Sequence, residues 1–129
     1  MKQTFLLLAV ATLLLTGCKK QTFDERVQAE VEHFNLKEAP KRIDAATTFD
    51  SMQYDASQLR LSYFYTVETD IPIDLFPRED IKQELLRNLR QSLQLKTHKE
   101  HGLLFHYRYI LQPSGETIVD CTFTPEDYK

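Results

Sequence analysis

Leu59-Arg60-Leu61-Ser62-Tyr63-Phe64-Tyr65-Thr66-Val67 decides the fold of this chain. Leu59, Leu61, Tyr63, Tyr65 and Val67 alternate strictly with Arg60, Ser62, Phe64 and Thr66. A period of two belongs to a half-buried strand, because successive side chains point to opposite faces of a sheet. A second stretch has the same design. After Gly102, the residues Leu103, Phe105, Tyr107, Tyr109 and Leu111 alternate with Leu104, His106, Arg108 and Ile110.

Working outward, each of these strands has a neighbour. Residues 43–54 read as extended, rich in Thr and Ala, with Phe49 and Met52 as the larger apolar side chains. The turn Tyr54-Asp55-Ala56-Ser57 makes them one arm of a hairpin. Pro113-Ser114-Gly115 is a second turn. Beyond it Thr117, Val119, Cys121 and Phe123 form the inward set of a last strand, facing Ile118, Asp120 and Thr122, until Thr124-Pro125.

Two helices complete the pattern. Thr22-Phe23-Asp24-Glu25 has the form of a capping box, and Phe23, Val27, Val31 and Phe34 then make one apolar stripe that stops at Asn35 and Pro40. Pro77, Glu79 and Asp80 suit a first helical turn, followed by Ile81, Leu85, Leu86, Leu89 and Leu93, with an end expected near Lys96. The expected fold class is α+β in the order helix-strand-strand-helix-strand-strand. Its four-stranded antiparallel sheet packs both helices on one face, the aromatic one carrying Tyr63, Tyr65, Tyr107 and Tyr109.

The amino terminus fixes an address. A charged start (Met1, Lys2) leads into an apolar run over residues 5–15 and then Leu15-Thr16-Gly17-Cys18. The run is too short for a spanning helix and fits a signal-peptide core. Small residues ahead of a single cysteine resemble the lipobox of bacterial lipoproteins. That resemblance implies cleavage before Cys18 and modification of its sulfur with diacylglycerol, whose chains are of the palmitate class. Residues 1–17 are then a signal peptide, 18–21 a short lipidated tether, and 22–129 one domain. The partner so implied is a lipid bilayer, the location the bacterial cell envelope. Lys19 after the cysteine points to the outer membrane, on its periplasmic side or surface, if the host is Gram-negative.

Charge and cysteine content narrow the function. The 129 residues carry 16 basic and 19 acidic side chains, a formal charge of −3. From Cys18 onward the count is 15 against 19, or −4. Nucleic-acid binding needs clustered Lys and Arg and is not expected. With Cys18 acylated, Cys121 has no partner for an internal disulfide and reads as an inert thiol.

No catalytic template fits. His98-x-x-His101 has a metal-like spacing, but a zinc site needs three or four ligands, and both histidines read as exposed at a helix end. HExxH, CxxC, EF-hand and G-x-S-x-G patterns are absent from the sequence. The reading is therefore a non-enzyme with no cofactor and no metal. The feature with most content is the second sheet face, with Arg60, Phe64, Leu104, His106, Arg108, Ile110 and Ile118. Its apolar members are either scattered surface residues or lie under the first helix; otherwise they form a surface for an envelope protein partner.

Ala39-Pro40, Ile43-Asp44, Thr48, Leu61 to Tyr65, Gly102, Phe105 to Tyr109 and Gly115 also resemble a pattern of small bacterial envelope lipoproteins with no assigned activity. The resemblance supports the fold and adds no site. The expected function is a membrane-anchored, non-catalytic binding or accessory domain. The alternatives are an immunity-type inhibitor of an envelope-acting toxin and a small envelope enzyme using His106 or Asp120.

Overall fold

Five strands build one mixed sheet in the order β1-β2-β3-β4-β5 in a computed structural model that describes residues 20–129. The strands are β1 (Lys41–Arg42), β2 (Thr47–Asp55), β3 (Arg60–Glu68), β4 (Leu104–Gln112) and β5 (Thr117–Phe123). The α-helices are α1 (Phe23–His33), α2 (Arg78–Gln91), α3 (Lys96–Glu100) and α4 (Pro125–Tyr128). The expected signal peptide, Cys18 and the first part of the expected tether lie outside the described residues. No helix among the described residues is long and apolar enough to cross a membrane.

The chain is α+β, with two corrections to the expected sheet. Among the described residues it has five strands, because Lys41–Arg42, ahead of the expected stretch 43–54, pairs with β2 as an edge strand. Asp44 accepts hydrogen bonds from the Ala46 and Thr47 N–H groups at 2.9 and 2.8 Å and folds Lys41–Arg42 back onto Phe49 and Thr48. The sheet is also mixed, since β3 and β4 run parallel, Tyr63 opposite Tyr107 and Tyr65 opposite Tyr109. A hairpin reverses the chain, but the connection from β3 to β4 contains α2, which carries the chain back to the end where β3 began.

Strand register, antiparallel between β2 and β3 and parallel between β3 and β4, sets aromatic rings side by side. Tyr65 stacks on Tyr109 with ring centroids 4.4 Å apart, Phe49 on Tyr65 at 4.6 Å, and Tyr63 on Tyr107 at 5.0 Å. Both long helices cover this face. Val27 and Val31 of α1 and Leu89 of α2 are buried with Leu61, Leu103 and Phe105, and Leu85 and Leu86 pack against them.

Helix ends follow local chemistry. Thr22 Oγ1 accepts the Glu25 N–H at 3.2 Å at the start of α1. That helix loosens into a π-turn at Phe34–Glu38 before Pro40. The second helix stops at Gln91, earlier than expected. Lys99 of α3 donates from Nζ to the Leu89 and Arg90 carbonyls at 2.8 and 3.0 Å, closing the end of α2. Gly102, at φ +74, then turns the chain into β4.

The sheet has two distinct ends. The lower end holds the β2–β3 turn, the start of β4, the amino terminus of α1 and α3. Tyr54 at the end of β2 donates to Asp24 at 2.5 Å, and the Phe23 ring stacks on His101 at 3.8 Å. The upper end holds the start of β2, the ends of β3 and β4 and the first turn of α2.

Candidate functional site

The face of the sheet away from the helices carries Arg60, Phe64, Leu104, His106, Arg108 and Ile110, the first three half-buried and Arg108 exposed. Both long helices pack on the opposite face, so α1 does not cover these residues. Ile118 is the exception. It is 3% exposed and packs with Leu111 and Val119 on the helix side. Tyr109 pairs with Val119 but Ile110 pairs with Thr117, so Ile118 is the extra residue of a β-bulge. A single inserted residue breaks the alternation and moves the side chain to the other face.

At the centre of the open face lies a chain of three polar groups. His106 Nε2 is 2.8 Å from Asp120 Oδ1, and Nδ1 is 2.9 Å from Ser62 Oγ. A carboxylate only accepts, so Nε2 carries the proton and, in the neutral ring, Nδ1 accepts from the hydroxyl. Phe64 packs edge-on against the imidazole, with centroids 5.9 Å apart. The group types match a nucleophile, base and orienting acid, but the exposure runs the wrong way. Ser62 is 5% exposed, whereas the Asp120 side chain is 51% exposed. Acyl transfer needs an accessible hydroxyl and a sheltered acid. What this geometry does provide is a clamp tying β3, β4 and β5 together.

The His98 and His101 rings each have another partner. His98 is buried, not exposed, and its Nε2 meets Glu30 Oε2 at 3.0 Å. His101 Nδ1 donates to the Thr97 carbonyl at 2.9 Å. Among the described residues no group of three or more His, Cys, Asp or Glu gathers as a metal cluster would. Cys121 is free and half-buried, and burial pushes its thiol above the ordinary value, with nearby Lys82 opposing that shift.

Sequence reasoning missed a groove on the helix face at the upper end, with a volume of about 460 Å³. Its floor is Thr47, Val67, Tyr109 and Ile118, one residue from each of β2 to β5. Ile81 and Leu85 of α2 form its apolar wall, with Phe76 closing one end. Asp80, Glu84 and Asn88 also line it, spaced four apart along one flank of α2. The groove exists because the helix layer is incomplete. Together with its π-turn, α1 runs over residues 23–38, at most about 24 Å at 1.5 Å per residue, and it lies along the β2 edge through Asn35 and Met52, while nine-residue strands run about 30 Å. The mismatch between helix and strand lengths was the available signal.

Comparison with known proteins bears on fold and family. A candidate secreted protein from Pseudomonas aeruginosa superposes with a TM-score of 0.68 at 8% identity, covering 85% of this chain and 100% of that one. EpsS, the pilotin from the type 2 secretion system of Vibrio vulnificus, gives 0.63 at 10% identity, over 78% of this chain and 86% of that one. AspS, a type II secretion system pilotin from Vibrio cholerae, gives 0.54 at 13% identity, over 78% and 97%. At these identities the likeness is one of fold. No curated protein matches the chain in sequence. Residues 22–119 match a family model described as a domain of unknown function, DUF8479.

Proposed function

The chain belongs to the family described as a domain of unknown function, DUF8479, and from that footing we propose that it is a lipid-anchored, non-catalytic accessory protein of the bacterial envelope. In this reading it holds a segment of an envelope protein, as a pilotin-like component of a secretion apparatus. Acylated Cys18 supplies the anchor. The likeness to EpsS and AspS supports the accessory role, and the inverted exposure of Ser62, His106 and Asp120 argues against catalysis on the open face.

The observation that carries the proposal is the vacant part of the helix layer above Val67, Tyr109 and Ile118. A helix from a partner would complete that layer with the same packing that α1 and α2 use. The lining sets the chemistry of the occupant. Apolar residues would meet Ile81, Leu85 and Val67, and Lys or Arg would face Asp80 and Glu84. The groove sits at the upper end and the amino terminus of α1 at the lower end. An occupant is therefore held roughly a strand length, about 30 Å, from the point where the tether joins α1.

A photo-crosslinking amino acid at Asn88, on the groove, and another at Thr122, on the open face, test the reading in intact envelopes. An adduct from position 88 that disappears with Asp80→Lys and Glu84→Lys, and whose partner peptide is amphipathic and basic, is the expected result. Adducts from position 122 alone would transfer the role to the face with Phe64 and Arg108. Cys18→Ala should abolish acyl labelling and release the chain from membranes; retained labelling would sink the anchor.

A further inference from the structure

We propose that the lower end of the domain is a bilayer-contact surface, with Leu59 and Leu93 as the side chains that enter the lipid interface. The inference rests on acylation of Cys18. Phe23 begins α1 only five residues beyond that cysteine. At no more than about 3.6 Å per residue, Phe23 lies within about 18 Å of the anchored sulfur. The lower end is thus held against the membrane, and its exposed groups must meet head groups or water within that distance.

Two exposed leucines lie there. Leu93, in the turn between α2 and α3, is 86% exposed. Its neighbour Gln94 lines a crevice with Phe23 and Arg26, which places the turn beside the start of α1. Leu59, in the β2–β3 turn, is 38% exposed. Its carbonyl accepts the Leu104 N–H at 2.7 Å, three residues along the chain from His101, whose ring stacks on Phe23.

Leu59 carries a second mark. Its φ is +53, the left-handed region, and it is the single residue other than glycine with positive φ among the described residues. Glycine or asparagine is the unstrained choice at such a turn position. A leucine there accepts backbone strain while more than a third of it stays exposed, and it belongs to neither buried cluster of the core, so core packing does not account for it. Contact with acyl chains does. Such a surface would also fix the tilt of the domain, directing the groove at the upper end away from the bilayer.

The chain contains no tryptophan, which permits a direct test. Leu59→Trp and Leu93→Trp each introduce a sole indole, and Leu75→Trp serves as the reference, since Leu75 is 70% exposed at the upper end. Each full-length acylated variant is reconstituted into phosphatidylethanolamine and phosphatidylglycerol vesicles containing lipids brominated near the glycerol end of the acyl chain. Blue-shifted emission and strong bromine quenching at 59 and 93, with little at 75, are expected. If any variant loses its near-UV signal, Gln58→Trp and Gln94→Trp report on the same two turns. Quenching at 59 and 93 no greater than at 75, in vesicle-bound protein, overturns the surface while leaving the anchor intact. A chain that is neither acylated nor vesicle-bound overturns both.

Discussion

Asn35 closes the outer edge of β2 with its side chain. Beyond the two residues of β1, the strand presents unpaired backbone groups, an arrangement that invites pairing with another chain. Asn35, in the π-turn after α1, donates from Nδ2 to the Met52 carbonyl at 2.9 Å and accepts the Met52 N–H on Oδ1 at 2.9 Å. One amide thus imitates a neighbouring strand residue and also ties the end of α1 to the sheet. Each such bond contributes about 0.5–1.5 kcal/mol net, and water can replace part of it at an exposed edge. Asn35→Ala should therefore destabilise the domain by about 1–2 kcal/mol, at about 4–8 °C of melting temperature per kcal/mol. Urea denaturation should show a lower midpoint with an unchanged m-value.

Asn35→Asp sharpens the test. The aspartate keeps the acceptor for the Met52 N–H but sets a second carboxylate oxygen against the Met52 carbonyl. Its protonated form can donate to that carbonyl, so folding raises its pKa above the unfolded value of about 3.9. The favourable interaction is then complete below that unfolded value and is lost as pH rises through the folded one. Measured against wild type at each pH, the deficit should shrink as pH falls toward 4 and below. An alanine variant within about 0.3 kcal/mol of wild type would refute this account of the edge, since even one lost bond should exceed that. An aspartate deficit that ignores pH would refute it too.

The remaining predictions concern the tyrosines and the β2–β3 turn. Burial raises the phenol of Tyr65 to about 12, and burial likewise pushes Tyr63, Tyr107, Tyr109 and Tyr128 up; at Tyr54 burial acts first and the hydrogen bond to Asp24 second. Folded values above the unfolded value of about 10 mean that the tyrosines' stabilisation is intact below pH 10 and is lost as pH climbs through the raised folded values, about 12 for Tyr65. An absorbance titration should show phenolate appearing together with loss of near-UV dichroism, and a normal tyrosine step near pH 10 with the fold intact would contradict it. Leu59→Gly relieves left-handed strain of about 1–2 kcal/mol against the greater unfolded entropy of glycine, about 0.5–1 kcal/mol. The urea midpoint should rise by the equivalent of about 0.5–1 kcal/mol while lipid contact weakens. A lower midpoint would remove strain from the account of Leu59.

Where the sequence misled, long-range geometry was responsible. The missing fifth strand is two residues long and depends on Asp44 folding the chain back, too short a segment for periodicity to register. Ile118 follows strict alternation in sequence yet points to the helix side, because it is itself the bulged residue of β5, opposite the step from Tyr109 to Ile110, and shifts the register by one residue. The parallel pairing was open to inference from the helix lying between β3 and β4, since a helical crossover returns the chain to its starting end. His98 read as an exposed helix-end residue until Glu30, 68 positions away, was placed beside it.

What the sequence determined by itself is what local chemistry controls. Alternation from Leu59 to Val67 and from Leu103 to Leu111 makes strands, and the apolar stripes of Val27, Val31, Leu85 and Leu89 make helices that must bury one face. Both signals act between residues a few positions apart, so they survive without tertiary context. Tertiary structure decided how those elements meet: the parallel central pair, the side on which Ile118 emerges, and the groove left where α1 falls short of the sheet. Each depends on lengths and directions of elements far apart in the chain, which no window of residues contains.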